Sequence, residues 1–484
     1  MSLKQQIISG FFWTYLQQFS SQIINFSISL VLARLLLPED FGTMGLIYIF
    51  ITIGHVLIDG GLSLSLIRNL DTDDEDFSTV FYANIGVSVL VYSLVFIAAP
   101  FIADFYKLEI LTNIIRVFAV TFIISAFSSV QSAFLSKNMQ FKTQMMIAIP
   151  SIIASGIVGI TLAFFNFGVW SLVWASITQN GIGTLQLWFY NNWRPKRVFN
   201  KIKFLKHLHF GYKLIITGIF DAVFVNIYPI FIGKTFSIKQ VGFYTQAEGL
   251  KQLPVSNVGG ALSKVTLPLF SKIQNDSQKL KEAYDRITQL VLFVITPILI
   301  FMSVLANPLL LFLYSAKWVA AAPYLKILCF AGILPTINGY NINILNAKGK
   351  SNYILKIEIL NKIFLVLMIL FFYRYGIYAL VWTKLLSSIF SYLLNSYYCG
   401  KELNYSLFDQ IMNITPVLLL SFLSGFVVQT IYVTLNSSQI PLLLKLLIPC
   451  FIGIIFYCSL IFIFKRKLIE ELKWILNTKF QHGK

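Results

Sequence analysis

The sequence predicts an all-α polytopic membrane protein of about fourteen transmembrane helices, built as two six-helix lobes related by a parallel repeat plus two extra C-terminal helices. Three observations predict it. Of 484 residues, 57% are hydrophobic and 12% charged, where soluble proteins carry about 25% charged residues. Apolar runs of about 20 residues, the length that crosses a bilayer core, recur along the whole chain. The 38 Lys and Arg residues are sorted by side of the membrane, so the net charge of +18 reports topology and no nucleic-acid partner is expected.

The runs fall at 11–33, 43–62, 79–102, 114–135, 145–166, 168–190, 211–233, 243–268, 287–307, 322–346, 352–373, 376–398, 412–434 and 441–463. The first leads directly into the second without a small-residue cleavage site, which predicts a retained helix and not a signal peptide. Loops on the N-terminal side and the C-terminal tail hold 24 of the 38 Lys and Arg residues, whereas the opposite loops hold only Arg34, Lys107, Lys234, Lys239, Lys317 and Arg374. That bias puts both termini in the cytoplasm and requires an even number of spans.

The first span has two faces. Phe12, Leu16, Phe19, Ile23, Phe26 and Leu30 form an apolar stripe at helical spacing, while Thr14, Gln18, Ser21, Asn25 and Ser29 form a polar one roughly opposite. Arg34, Pro38, Glu39, Asp40 and Gly42 then turn the chain into a second span carrying His55, Asp59, Gly60 and Gly61. Asp71, Asp73, Asp74, Glu75 and Asp76 read as a solvated turn whose acids favour the N-terminus of the third span. Short connections join spans three to six into a compact antiparallel bundle.

From Asn191 to Lys213 seven basic residues alternate with Val198, Phe199, Ile202, Phe204, Leu205 and Leu208. Two readings stand: an amphipathic segment on an anionic membrane surface, or topology signalling alone. His207 and His209 are expected in the same headgroup zone. This linker divides two similar parts: Gly10 matches Gly211, while Arg34 and Gly42 match Lys234 and Gly242, and Gly60 and Gly61 match Gly259 and Gly260, all at separations near 200. Six spans separate the copies, so the repeat is parallel. The expected domains are an N-terminal lobe at 1–192, a basic amphipathic cytoplasmic linker at 193–210, a C-terminal lobe at 211–400, and the last two spans with a basic tail at 401–484.

Thr217, Asp221 and Tyr228 share a face of the seventh span, and Pro229 is expected to bend it. The eighth span carries Gln246, Glu248, Lys251, Gln252, Ser256 and Asn257, too polar for lipid contact, so both spans are expected to face a wet interior. An ionisable group at a helix centre costs at least about 2.5–3.5 kcal/mol. Each of Arg34, Asp59, Asp221, Lys234, Lys251, Lys362 and Lys384 therefore needs a partner, a cavity or an interfacial position. Glu358 and Lys362 read as a structural pair, and Glu248 and Lys251 as either a pair or part of a cavity. Lys384 needs a ligand anion or a distant carboxylate. His55 and Asp59 could form a protonatable pair. Arg34 and Lys234 either receive an anionic headgroup or snorkel to the interface.

No phosphate-binding glycine loop, metal-spaced histidine cluster or long exterior loop is found, so the chain is not expected to be an enzyme and no cofactor or metal is expected. Cys329, Cys399, Cys450 and Cys458 read as buried, unpaired thiols.

Several segments carry a resemblance. These are Ala33 to Gly42 with Asp59 to Ser63; Lys137 to Lys142; Trp193 to Lys196; Ile232 to Lys234 with Val241 to Ala247; Pro268 to Gln274; and Lys317, Trp318 with Ala347 to Lys350. In this order they resemble the polysaccharide transporter family, the Wzx-type flippases of the MOP exporter superfamily, over nearly the whole chain to about residue 400. The resemblance implies a flippase in a bacterial cytoplasmic (inner) membrane. It would move an undecaprenyl-pyrophosphate-linked oligosaccharide, a polysaccharide biosynthesis precursor, from inner to outer leaflet by alternating access between two lobes around a cationic cavity. Its partners would be the lipid-linked oligosaccharide, membrane lipids and a coupling cation, H+ or Na+. Family members commonly carry an Asp just before the Ile-Gly-Lys of the seventh span; this chain has Asn226, Tyr228 and Pro229 there, with Asp221 as the substitute on the same face.

The expected cavity residues are thus Arg34, Lys234, Lys251, Lys384, Gln18, Asn25 and Gln252, and the coupling candidates Asp59, His55, Asp221 and Glu248. The alternatives are a cation-coupled drug or metabolite antiporter and, out of class, a membrane-embedded glycan-modifying enzyme.

Overall fold

The computed structural model describes residues 3–464; the basic tail from Lys465 lies outside the described residues. The chain forms two compact units, one ending at Thr245 and the other beginning at Gln246.

The first unit contains α1 (Leu3–Leu35), α2 (Pro38–Asp59), α3 (Leu62–Arg68), α4 (Asp74–Tyr106), α5 (Ile110–Phe118), α6 (Val120–Lys137), α7 (Phe141–Phe164), α8 (Val169–Tyr190), α9 (Lys201–Val225), α10 (Ile227–Thr235) and the start of α11 (Ile238–Lys272). Pro38 opens α2 at a position where its missing N–H costs nothing, and the Asp40 carboxylate accepts from the Leu37 N–H at 2.9 Å. Gly60 and Gly61, both left-handed at φ 53° and 68°, end α2 and turn the chain into α3. Asp73 caps α4 by accepting from the Asp76 N–H at 2.9 Å. α7 packs against α1 and α8, α4 against α5 and α6, and α2 against α4 and α9.

The seventh span breaks where Pro229 acts. α9 stops at Val225, Asn226 leaves helical geometry, and α10 restarts at Ile227, because Pro229 has no N–H to offer the Val225 carbonyl. The first half of the linker packs on protein. Residues 191–200 are non-helical and dock on the bundle: Trp193 is buried among Phe77, Phe81 and Phe134, while the N–H groups of Lys196 and Asn200 donate to the Ser78 and Thr79 hydroxyls at 2.9 and 3.1 Å. From Lys201 the linker is already α9. Val198, Phe199 and Ile202 remain exposed.

The second unit continues α11 and adds α12 (Ser277–Val304), α13 (Ala306–Leu313), a 3-10 turn at Ala316–Ala321, α14 (Ala322–Ile333), α15 (Pro335–Ala347), α16 (Ser351–Phe372), α17 (Ile377–Leu403), α18 (Leu407–Asn436) and α19 (Leu442–Phe464). α17 is its centre, with α14, α15 and α16 packed on it; α18 lies on α12 and α19 on α18.

With α5–α6, α9–α10 and α14–α15 each taken as one broken span, the described residues supply fourteen spans at the expected places. Ten are long and apolar enough to cross a membrane by length and composition. Of the other four, α1, α11 and α16 carry the polar stripe or charges noted in the sequence, and α8 carries Gln179, Asn180 and Gln186.

Candidate functional site

Within the second unit, α11, α14 and α17 assemble an ionic centre inside the spans. The Lys251 ammonium donates to Glu248 Oε1 at 2.8 Å and to Gln252 Oε1 at 3.3 Å. The Lys251 side chain is only 6% exposed. Lys384, on α17, lies within electrostatic reach of both Glu248 and Lys251. Glu248 and Lys251 thus form an ion pair inside the spans, with the Lys384 side chain nearby. Glu248 Oε2 is buried and, among the described residues, accepts no hydrogen bond, so the carboxylate has an acceptor to spare.

Gly332 on α14 makes this centre possible. A Cβ there would stand 2.7 Å from Lys251 Cδ, so the missing side chain is the slot in which the lysine stem lies. Sequence reading missed Gly332, since a lone glycine in an apolar run announces no partner.

The first unit shows the repeat as contact. A Cβ on Gly42 would run into the Ile238 carbonyl, and a Cβ on Gly242 into the Pro38 carbonyl. Glu39 Oε1 and Lys239 Nζ are 3.4 Å apart. Residue 42 of α2 therefore meets 238 of α11 and residue 38 meets 242, while 39 faces its own repeat equivalent 239, the reciprocal pattern of an isologous interface.

The remaining expected residues are dispersed. Gln18 and Asn25 are exposed on α1, Asp221 is exposed on α9, and Arg34 is exposed at the end of α1. Lys234 donates to the Phe105 carbonyl at 2.7 Å and lies over its ring at 3.9 Å, at the C-terminal end of α4 where the helix dipole favours a cation. His55 and Asp59 make no hydrogen bond or ion pair with each other; His55 instead meets the Phe122 ring edge-on at 5.5 Å. The structure thus brings together Glu248, Lys251, Gln252 and Lys384. Glu358 and Lys362 stand 3.9 Å apart, the pair their spacing predicted.

His207 differs most from expectation. It is fully buried, with Nδ1 at 2.8 Å from Ser65 Oγ and Nε2 at 3.0 Å from Asp76 Oδ1, joining α3, α4 and α9. Beside it the Lys203 ammonium reaches Asp73 at 2.6 Å, Glu75 at 2.8 Å and Asp76 at 3.5 Å. The hydrogen bond from Lys203, with the Asp76 N–H, holds the Asp73 carboxyl well below the usual carboxylate range. The acidic turn is therefore a receptor for α9, and not only a solvated loop.

A second polar feature was also missed. The Nδ2 groups of Asn338, Asn361 and Asn395 all approach Ser391 Oγ, at 3.0, 3.1 and 3.4 Å. Their three Oδ1 atoms are buried and, among the described residues, have no hydrogen-bond partner. One hydroxyl accepts two hydrogen bonds, so this seam between α15, α16 and α17 demands water or a polar guest.

Comparison with known proteins follows the same lines. Residues 31–323 match the family model described as "Polysaccharide biosynthesis protein". The teichuronic acid biosynthesis protein TuaB of Bacillus subtilis (strain 168) is 25% identical over 353 residues, covering 72% of this chain and 73% of that protein. The succinoglycan biosynthesis transport protein ExoT of Rhizobium meliloti (strain 1021) is 22% identical over 323 residues, covering 66% and 65%. Among solved structures, the lipid II flippase MurJ in an inward closed conformation superposes with a TM-score of 0.74 at 16% identity, over 94% of this chain and 99% of that one, which establishes a shared fold.

Proposed function

The chain belongs to the polysaccharide biosynthesis protein family, and on that premise we propose that it is a flippase that carries an undecaprenyl-pyrophosphate-linked oligosaccharide across a bacterial cytoplasmic membrane. The observation that carries the reading is the buried ionic centre: Lys251 is paired with Glu248, and Lys384 lies near both, inside membrane-spanning helices, where ionisable groups mark a substrate path. An anionic pyrophosphate is attracted to the two lysines, while its lipid tail stays in hydrocarbon and its sugars keep polar surroundings. The relatives' names, for teichuronic acid biosynthesis and for succinoglycan biosynthesis transport, support the same cargo class.

The chain works by alternating access without making or breaking covalent bonds, with both termini in the cytoplasm. The glycine-lined meeting of α2 and α11 lies on the face opposite the termini, and it must part for cargo to leave there. Glu248 is the carboxylate placed to couple transport to a cation, since Oε1 holds Lys251 while Oε2 is open. Deleting the gene tests the reading in cells. Loss of one surface polysaccharide, with its lipid-linked precursor accumulating, is the expected outcome; unchanged surface glycan with drug-specific sensitivity would point to an antiporter instead.

A further inference from the structure

A groove of about 410 Å³ opens between α12, α14 and α18. Its walls are Ile300, Val304, Phe330, Phe422 and Phe426, and its polar groups are Ser303, Lys326 and Gln429. Ser303 is occupied, since its hydroxyl donates to the Lys326 carbonyl at 3.3 Å. The Lys326 ammonium is exposed and, among the described residues, makes no hydrogen bond or ion pair. Among the described residues, no carboxylate lines the groove. Gly425 lets α18 close on Ile300 to form the floor, and Phe330 stacks on Phe422 at 5.8 Å to form a flat apolar wall.

Depth and chemistry select the occupant. α12 is the ninth span, so the groove lies toward the face opposite the termini. Lys326 is the fifth residue of α14 and Gln429 lies seven residues before the end of α18, which places them roughly 6 and 10 Å inside the helix ends at about 1.5 Å per residue. That is headgroup depth, with phenyl rings below it. A lone cation above an apolar slot, opening among membrane-spanning helices, complements a molecule with one negative phosphate and a hydrocarbon chain.

We propose that this groove binds an anionic phospholipid of the bilayer, its phosphate on Lys326 Nζ with Gln429 donating beside it, and one acyl chain along Phe330, Phe422 and Phe426. The test uses the full chain in nanodiscs of phosphatidylcholine with one-fifth phosphatidylglycerol, counting retained lipids by native mass spectrometry. The expected result is retained phosphatidylglycerol on the natural protein, about tenfold weaker retention in Lys326→Gln, and recovery in Lys326→Arg. Lys445→Gln, whose lysine is already held by the Asn436 carbonyl, should retain lipid normally, and helical content certifies folding of each variant. Equal retention in Lys326→Gln, or displacement of the lipid by inorganic phosphate alone or by a polyprenyl phosphate in preference to phosphatidylglycerol, would overturn the assignment.

Discussion

Gly42 and Gly242 sit opposite one another, so that a side chain on either would enter the backbone of the other's helix at Pro38 or Ile238. Residues 200 positions apart thus form one close contact on the pseudo-axis of the repeat. Gly42→Ala or Gly242→Ala must prise α2 from α11 at a cost of about 1–3 kcal/mol, shifting a two-state equilibrium roughly 5- to 150-fold. In a cysteine-free background, Glu39→Cys should then react with a membrane-impermeant thiol reagent much faster than it does without the glycine substitution. Unchanged reactivity would show that the contact does not close that face.

Gly332→Val should reproduce the loss caused by removing Lys251, although it changes no charge, because the added side chain occupies the slot of the lysine stem. Glycan export is the measurement, with membrane insertion as control. Gly332→Val retaining full export while Lys251→Ala loses it would separate the slot from the centre.

His207→Ala should destabilise the protein by about 1–3 kcal/mol, since it leaves buried Ser65 and Asp76 without their shared partner. Lys206→Ala, next to it in the chain, should have little effect in the same thermal assay. Comparable losses in the two would mean that the buried bridge contributes nothing.

The tie between Asp73 and Lys203 carries a pH signature. Asp73 titrates below its unfolded value, so its contribution is fully present above the ordinary Asp range and is lost as pH falls through the depressed folded value. Amide exchange in the first turns of α4 and α9 should therefore be flat from neutral pH down to about pH 4, once corrected for the intrinsic pH dependence of exchange, and should accelerate only in stronger acid. Acceleration near pH 6 would assign the tie to another group.

The spans were legible because hydrocarbon thickness imposes a length on every apolar run, and the repeat because Gly42 and Gly242 meet their own equivalents. The site was legible only along one helix. Glu248, Lys251 and Gln252 lie within five residues, so their polarity stood out; Lys384 was visible as a mid-helix charge with no acid nearby in sequence. Gly332, His207 with Asp76, and the amides around Ser391 were not legible, because their meaning comes from neighbours distant in sequence, 131 residues for His207 and 53 and 30 for Asn338 and Asn361, or from a side chain that is absent. His207 was misplaced for that reason: its basic neighbours in sequence suggest lipid headgroups, whereas the Asp76 carboxylate draws it inside.

The cavity assignment and the function meet in one measurement, transbilayer movement of an undecaprenyl-linked oligosaccharide in vesicles containing the purified protein. The natural chain should deliver glycan to the opposite leaflet, and the Lys251→Ala/Lys384→Ala double variant, equally inserted, should do so at least about tenfold more slowly. No movement of any undecaprenyl-linked glycan under any ion gradient, or equal rates for the two proteins, would contradict the account.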